Sequence, residues 1–308
     1  MLRIAIVGFG KIARDQHVRA IAATKGAVLA AVADPNAALA GVPHAPTLEA
    51  LLRDGPSIDA VALCTPPQVR RAQAAMALAP GKHVMLEKPP GATVAEIGPL
   101  LKAATAARRT LFAAWHSRFA PAVEPARQLL AGRRITAVRI AWKEDVRVWH
   151  PGQDWIWQPG GLGVFDPGIN ALSILTRILP QSLFVTSADL CFPANRAAPI
   201  AATLSLSDAL GLPISAEFDF RQTGPQSWDI HIDTDAGPVT LSSGGAKLSA
   251  AGVQHVDAIK AEYAGLYRRF AKLAATGETD VDLAPLQLVA DAFLLGRRSV
   301  VEPFEDMP

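Results

Sequence analysis

The chain is predicted to fold as α/β in two domains: a doubly wound parallel sheet over residues 1–118, and an α+β domain with a mostly antiparallel, open sheet over residues 119–308. Three observations predict this. The chain starts with a strand that runs into a glycine turn and a helix. Strand and helix patterns then alternate in short βα units to about residue 116, which builds a parallel sheet. After about residue 120 that alternation gives way to closely spaced strand-like runs, the mark of an antiparallel sheet.

Leu2-Arg3-Ile4-Ala5-Ile6-Val7 is apolar, β-branched and of strand length. It stops at Gly8-Phe9-Gly10-Lys11-Ile12-Ala13, a G-x-G-x-x-A turn, and an amphipathic helix follows with Val18, Ile21 and Ala22 on one face and Gly26 as its stop. In this strand–turn–helix context Gly8 permits the tight turn, Gly10 lets the backbone approach a pyrophosphate, and Ala13 lets helix and strand pack closely. The helix N-terminus presents free N–H groups to the anion. The next strand, Ala27 to Ala33, delivers Asp34 roughly 20 residues past Ala13, where an acid that binds a ribose diol is expected. A Rossmann dinucleotide site follows from this set. The plainer reading is a glycine turn without nucleotide, with Asp34 only capping a turn.

Ile58 to Leu63 is the next strand and closes on Thr65-Pro66-Pro67; an alanine-rich helix runs to Ala79 and ends at Pro80-Gly81. His83 to Leu86 is a short strand closing on Glu87-Lys88-Pro89-Pro90-Gly91. Thr93 reads as an N-cap with Glu96 completing a capping box, on a helix reaching Ala107, and Leu111 to Trp115 is a further strand. Ligands on such sheets sit at the carboxyl ends of the strands. Gly8, Asp34, Thr65, Lys88 and His116 all fall at such ends. Beyond them come a helix from Pro121 to Leu130, a strand from Ile135 to Glu144, a tryptophan-bearing loop and a helix reaching Ile178. Strand-like stretches follow near 183–192, 199–207, 213–220, 227–233 and 237–241, and helices over about 257–275 and 284–297 close the pattern.

The 308 residues suffice for two domains with sizeable cores. A formal net charge of +2 with no long basic run argues against nucleic acid as a partner. The apolar N-terminus is broken by Arg3 and flows into the glycine turn, so it does not read as a signal peptide. No apolar run reaches the ~18 residues needed to span a bilayer, so no membrane partner is expected. Cys64 and Cys191 match no metal spacing, no metal is expected, and a reducing cytoplasm is the natural compartment.

Glu87-Lys88-Pro89 carries the second chemical signal. A strand that delivers a lysine to the ligand edge of the sheet holds an ammonium where it can hydrogen-bond a substrate hydroxyl and stabilise a developing oxyanion. With Gly8 to Ala13, Thr65-Pro66, and Gly160-Gly161-Leu162-Gly163-Val164-Phe165-Asp166, these residues resemble the glucose–fructose oxidoreductase / inositol dehydrogenase (Gfo/Idh/MocA) family along the whole chain. The resemblance implies a nucleotide domain followed by an α/β domain whose open sheet pairs with another subunit, hence a homo-oligomer, dimer or tetramer. It places cofactor contacts at Gly8, Phe9, Gly10, Lys11, Ile12, Asp34, Thr65, Pro66, Glu87 and Lys88.

One departure matters. The family motif continues from the aspartate to a histidine four residues later, and here that position is Asn170, which cannot serve as a proton-transfer base. A branch of the family with this Asp–Asn pair oxidises aldose sugars at C1. By that resemblance Lys88, His116, Glu144, Trp149, His150, Asp166 and Asn170 face substrate, with Asp166 and Lys88 catalytic. Asp166 and Asn170 are four apart, on one face of a helix, and an acceptor–donor pair suits adjacent hydroxyls. The alternative is that Asp166 is an N-cap with Pro167 as the first helical residue. Glu144 alternates in phase with Val138, Ile140 and Trp142, so its carboxylate lies on their sheet face, as a ligand contact or in a structural salt bridge. Trp142, Trp149, Trp155 and Trp157 offer flat apolar faces that suit sugar rings or interior packing.

The resulting expectation is an NAD(P)-dependent aldose 1-dehydrogenase acting on a pyranose such as D-galactose or L-arabinose. NAD is preferred because Asp34 repels a 2′-phosphate and no arginine follows it, with NADP tolerated through Asn36 as the alternative. Another sugar or polyol dehydrogenase of the same family, a redox-neutral enzyme that keeps its NAD bound, and a non-catalytic sensor of sugar or nucleotide are the rival readings.

Overall fold

The apolar run Leu2–Val7, ending at Gly8, forms β1 and lies inside the first sheet. The computed structural model describes residues 1–259 and 261–305; Lys260, within the predicted helix 257–275, and residues 306–308, the end of the predicted second domain, lie outside the described residues. The chain forms two units. The first holds Met1–His116 and Glu262–Asp282, and the second holds Ser117–Ala261 and the chain from Leu283 onward.

In the first unit β2 (Ala27–Ala33), β3 (His44–Ala45), β4 (Ala60–Leu63), β5 (His83–Glu87) and β6 (Leu111–Ala114) join β1 in the order β3-β2-β1-β4-β5-β6, among the described residues. Every pairing is parallel. The order reverses at β1, with β2 on one side and β4 on the other. Val7 is level with Ala33 and with Leu63, Leu63 with Leu86, and Glu87 with Ala114. Gly8, Asp34, Cys64 and Lys88 therefore leave the sheet along one edge, at the switch point where such sheets bind ligands.

Local signals explain the helices, and some of them differ from expectation. Ala13–His17 is π-helical before the α-helix Val18–Ala23. Thr47 caps a helix Leu48–Asp54, and Pro67 opens the helix Pro67–Leu78. The helix expected from Thr93 starts at Ile97 instead, with Glu96 at its N-cap. Glu96 Oε1 accepts the N–H groups of Ala92 and Thr93, so the carboxylate half of the predicted box forms, but on the turn ahead of the helix.

The segment 262–282 returns to this unit, a departure from the predicted boundary at residue 118. Its helix Glu262–Thr276 buries Tyr263, Leu266, Tyr267, Phe270 and Leu273, and Phe270 stacks on Phe112 with ring centroids 6.0 Å apart. Asp280 then exchanges backbone hydrogen bonds with Leu111 and Ala113 at the sheet edge. The apolar pattern of that helix shows in the sequence, but the surface it covers does not.

In the second unit nine strands form one sheet among the described residues: β7 (Ile135–Lys143), β8 (Leu183–Pro193), β9 (Ala201–Asp208), β10 (Ile214–Asp219), β11 (Ser227–Thr234), β12 (Val239–Ser242), β13 (Lys247–Ala250), β14 (Val253–Asp257) and β15 (Arg297–Val301). Their order is β14-β13-β12-β11-β7-β10-β9-β8-β15, antiparallel except where β10 meets β7 and β15 meets β8. β13 and β14 fall between the last expected strand and the expected helix 257–275, and β15 starts at Arg297, where the last helix is expected to end; the two helices run over Glu262–Thr276 and Ala284–Leu295.

One face of this sheet is buried, through Val138, Ile140 and Trp142 of β7, Leu204 and Leu206 of β9, and Ile214, Ala216 and Phe218 of β10. The alternate residues form an open, polar face, with Arg139 paired to Asp233 and Lys143 to Glu217. The helix Phe165–Ile178 lies on the buried face, and its Phe165 ring meets Phe218 edge-on at 5.7 Å. The turn ahead of it needs glycine: Gly163 has φ +53°, and a Cβ there would lie 2.3 Å from the Pro199 carbonyl oxygen.

Candidate active site

The predicted site residues form two clusters, one in each unit. In the first unit the glycine turn is held by the strand that follows it in sequence. Gly8 N–H donates to Ala33 O at 2.9 Å, and Phe9 N–H donates to Asp34 Oδ2 at 2.7 Å. Asp34 Oδ1 also accepts from Asn36 N and Ala37 N, at 2.8 and 2.9 Å. Asp34 thus does cap its turn, and three of the roughly four acceptor directions of the carboxylate go to the backbone. Phe9 is buried in the core, so only its backbone can meet a ligand, whereas Gly10, Lys11 and Ile12 are exposed.

The turn fits a dinucleotide. Gly8 has φ +83°, and a Cβ there would lie 2.8 Å from both Thr65 Cγ2 and Thr65 N. Glycine at position 8 thus lets the turn pack closely on Thr65, while a Cβ at Gly10 would meet nothing within 4 Å, so the bare backbone there leaves room for a pyrophosphate.

Arg70, which the sequence reading did not single out, braces the far side of this edge. Its buried guanidinium donates to the carbonyls of Glu87, at 2.5 Å, Pro89 and Thr65. It therefore fixes the loops that carry Thr65-Pro66 and Lys88. Lys88 itself is half-buried. Glu87, which the resemblance places among the cofactor contacts, has its side chain buried among protein groups: His17 Nε2 lies 3.0 Å and the Tyr263 hydroxyl 2.8 Å from its Oε1. Burial alone would raise this carboxyl, but the hydrogen bond and charge of His17, followed by the charges of His116 and Lys88, hold it at about 2. Burial also opposes a charged His17, yet Cys64, Tyr267 and the hydrogen-bonded Glu87 together hold the imidazole well above its ordinary value. His116 Nδ1 is 2.5 Å from Glu262 Oε2, and its ring stacks on Tyr263 at 5.1 Å.

In the second unit the structure brings Glu144, His150 and Asp166 together. β7 carries Glu144 just past its end, buried on the face of Trp142 as expected. Asp145 caps the short helix Val146–Trp149, whose end delivers His150. His150 Nε2 lies 3.2 Å from Glu144 Oε1, and its Nδ1 lies 3.7 Å from Asp166 Oδ2. One histidine thus bridges two carboxylates, while its ring rests on Phe220 at 5.5 Å.

Asp166 is the second residue of the helix Phe165–Ile178, whose N-cap is Val164. The capping alternative for Asp166 is therefore displaced: it is buried within the first turn, and Asn170 follows one turn later, half-buried.

The tryptophans divide. Trp142 and Trp157 are interior packing, while Trp149 is 41% exposed. Trp228, missed from the sequence, donates from Nε1 to Glu144 Oε2 at 2.8 Å and meets Trp149 edge-on at 5.0 Å. Trp149 Nε1 donates to Gln226 Oε1 at 3.1 Å. The available signal was strand pairing: β11 lies beside β7 with Trp228 opposite Trp142. Among the described residues no group of three or more histidine, cysteine, aspartate or glutamate side chains is disposed to hold a metal ion, and no helix is long and apolar enough to cross a membrane.

Comparison with known proteins places this arrangement. Residues 2–114 match the oxidoreductase family with an NAD-binding Rossmann fold, Gfo/Idh/MocA. Over 308 residues the chain is 49% identical to galactose 1-dehydrogenase of Pseudomonas fluorescens, with 99% of each chain covered. This chain belongs to the Gfo/Idh/MocA oxidoreductase family. A crystal structure of a D-galactose-1-dehydrogenase protein from Rhizobium etli superposes with a TM-score of 0.93 at 57% identity, covering 99% of this chain and 98% of that one. Myo-inositol 2-dehydrogenase from Lactobacillus plantarum shares the fold, with a TM-score of 0.75 at 14% identity over 95% of this chain and 97% of that one. Membership makes the chain an oxidoreductase that binds NAD(P) through its Rossmann unit.

Proposed function

We propose that this enzyme oxidises C1 of an aldopyranose, D-galactose or L-arabinose, to the aldonolactone. The observation that carries this reading is the similarity to two galactose 1-dehydrogenases, 49% and 57% identical to this chain over almost its entire length. The residues support it. Gly8, Gly10, Lys11 and Ile12, with the backbone of Phe9, hold the pyrophosphate side of the dinucleotide; Thr65 and Pro66 flank it. Bound nicotinamide supplies the hydride acceptor. Asp34 takes one ribose hydroxyl at Oδ2, and its negative charge disfavours a 2′-phosphate, so NAD is preferred over NADP.

Asp166 accepts the proton of the anomeric hydroxyl as the C1 hydride departs, and Lys88 hydrogen-bonds the same oxygen and stabilises its developing charge. Glu144, His150 and Asn170 hold the remaining hydroxyls. The His150 contacts to Glu144 and Asp166 give these groups one fixed geometry, and such positioning is worth several kcal/mol of barrier. His116 and Trp149 bound the C6 end, the polar residue favouring galactose and the flat wall arabinose. The open face of the second sheet is the proposed homo-oligomer surface, and the cytoplasm the proposed compartment.

The test is incubation of purified protein with free NAD and D-galactose, following nicotinamide absorbance and identifying the sugar product. Net NADH with galactonolactone supports the reading. Sugar binding without turnover would make the chain a sensor, and turnover without net NADH a redox-neutral enzyme.

A further inference from the structure

His17, Tyr263 and Tyr267 gather in the first unit about Glu87, whose carboxylate touches the backbone of Lys88. Glu87 Oε2 accepts the Lys88 N–H at 2.8 Å, while Oε1 accepts from Tyr263 and His17 at 2.8 and 3.0 Å. Behind His17, Nδ1 lies 2.7 Å from the Tyr267 hydroxyl, and the rings of Tyr263 and Tyr267 meet the imidazole edge-on at 4.9 and 5.6 Å. His17, Glu87, Tyr263 and Tyr267 are all buried. On the other side of the same peptide, Arg70 holds the Glu87 carbonyl at 2.5 Å.

A buried ion pair is weak evidence for stability, since apolar side chains of similar volume often serve as well. What distinguishes this one is where its last hydrogen bond ends. Lysine has a long flexible side chain, and the protein can set its direction only by fixing its root. The carboxylate of Glu87 does that, because both its oxygens are committed and it can neither rotate nor swing out to solvent.

We propose that Glu87, clamped by His17 and Tyr263, is a positioning residue that fixes the root of Lys88 and so aims its ammonium. The proposal rests on the catalytic role given to Lys88 above. The clamp also explains why the chain returns to the first unit: the first turn of the helix Glu262–Thr276 brings Tyr263 to Glu87 and Glu262 to His116.

Tyr263→Phe removes one hydroxyl and keeps the ring, and Glu87→Gln keeps the shape but loses the charge. In each, kcat with D-galactose and NAD is expected to fall about 3- to 10-fold, the range spanned by loss of one hydrogen bond, with sugar KM nearly unchanged. Combined with Lys88→Ala, Tyr263→Phe is expected to have no further effect on kcat, because the side chain it aims is gone.

A readout independent of turnover is trace acetylation in the cofactor-free protein, quantified by peptide mass spectrometry. Lys88 labelling relative to exposed Lys102 is expected to rise about threefold or more in Tyr263→Phe and in Glu87→Gln. Unchanged Lys88 labelling in both variants, or a Tyr263→Phe loss that multiplies fully onto Lys88→Ala, overturns the positioning role. A Lys88→Ala enzyme with near-normal kcat overturns instead the catalytic role of Lys88, and the labelling result then stands by itself.

Discussion

Replacing Gly8 by alanine separates the two demands on the glycine turn. At φ +83° an L-residue costs about 1–2 kcal/mol over glycine. The added Cβ would also lie 2.8 Å from Thr65 N, a backbone atom, and 3.0 Å from the Cys64 carbonyl carbon. These neighbours cannot retreat cheaply, because Arg70 holds the Thr65 carbonyl and Cys64 N–H is bonded to Val7 O. The turn must move instead, and it carries the N–H groups meant for the pyrophosphate. A loss of about 1.4 kcal/mol is tenfold in affinity, so the Kd for NADH is expected to rise about tenfold or more. The melting temperature of the cofactor-free protein should drop by a few degrees, in line with ~1–2 kcal/mol of strain. Gly10→Ala is the control: a Cβ at Gly10 meets nothing within 4 Å, so cofactor-free stability should hold while NADH affinity falls. The measurements are NADH titration by fluorescence and thermal unfolding without cofactor. A Gly8→Ala protein with wild-type NADH affinity would refute the argument from backbone approach.

Asp166→Ala should lower kcat by about 10²-fold or more with little change in NADH Kd, and Lys88→Ala should lower kcat on the same scale; steady-state rates and cofactor titration check both. Cofactor preference is read from kcat/KM, expected to be higher with NAD than with NADP, and the reverse order would contradict the role of Asp34. The His17–Glu87 pair makes stability depend on pH in two directions. Glu87 is held at about 2 against an ordinary 4.5, so its contribution, on the order of 3 kcal/mol, is present above pH 4.5 and is lost as pH falls toward 2. His17 is held above its ordinary 6.5, so its contribution is present below pH 6.5 and is lost as pH rises through the folded-state value. Denaturant midpoints measured across pH should therefore fall off on the acid side in the wild type, and that slope should flatten in Glu87→Gln.

The readable parts of this chain were those set by neighbours in sequence. A β-branched run followed by Gly8-Phe9-Gly10 announces a strand and its turn, and β2 falls on Ala27–Ala33 as the pattern indicated. Parallel register then carries Gly8, Asp34 and Lys88 to one edge, because each is the first residue after its strand. The resemblance sets Glu144, His150 and Asp166 together toward substrate, but that His150 bridges the two carboxylates depends on a short helix capped by Asp145, four residues long and too brief to show a period. Arg70 carries no signal of its own in an alanine-rich helix; its role depends on three carbonyls in loops that fold beside it. Tyr263 and Tyr267 lie in an expected helix, but the partners of their hydroxyls depend on that helix returning to the first sheet. Trp228 acquires meaning through antiparallel pairing with β7, a contact 84 residues away along the chain at Glu144.

In the proposed reaction one fixed set of side chains reads the configuration of an aldopyranose while C1 is oxidised. L-Arabinopyranose is D-galactopyranose without its C6 hydroxymethyl group, and the two agree at C2, C3 and C4. A hydrogen-bonding site rejects a misplaced hydroxyl strongly, because its own buried groups are left unpaired. Initial rates of NAD reduction with D-galactose, L-arabinose, D-glucose and D-xylose test this directly. Turnover of the first two is expected, with poor turnover of glucose, which is inverted at C4, and of xylose. Glucose or xylose oxidised as well as galactose would contradict it.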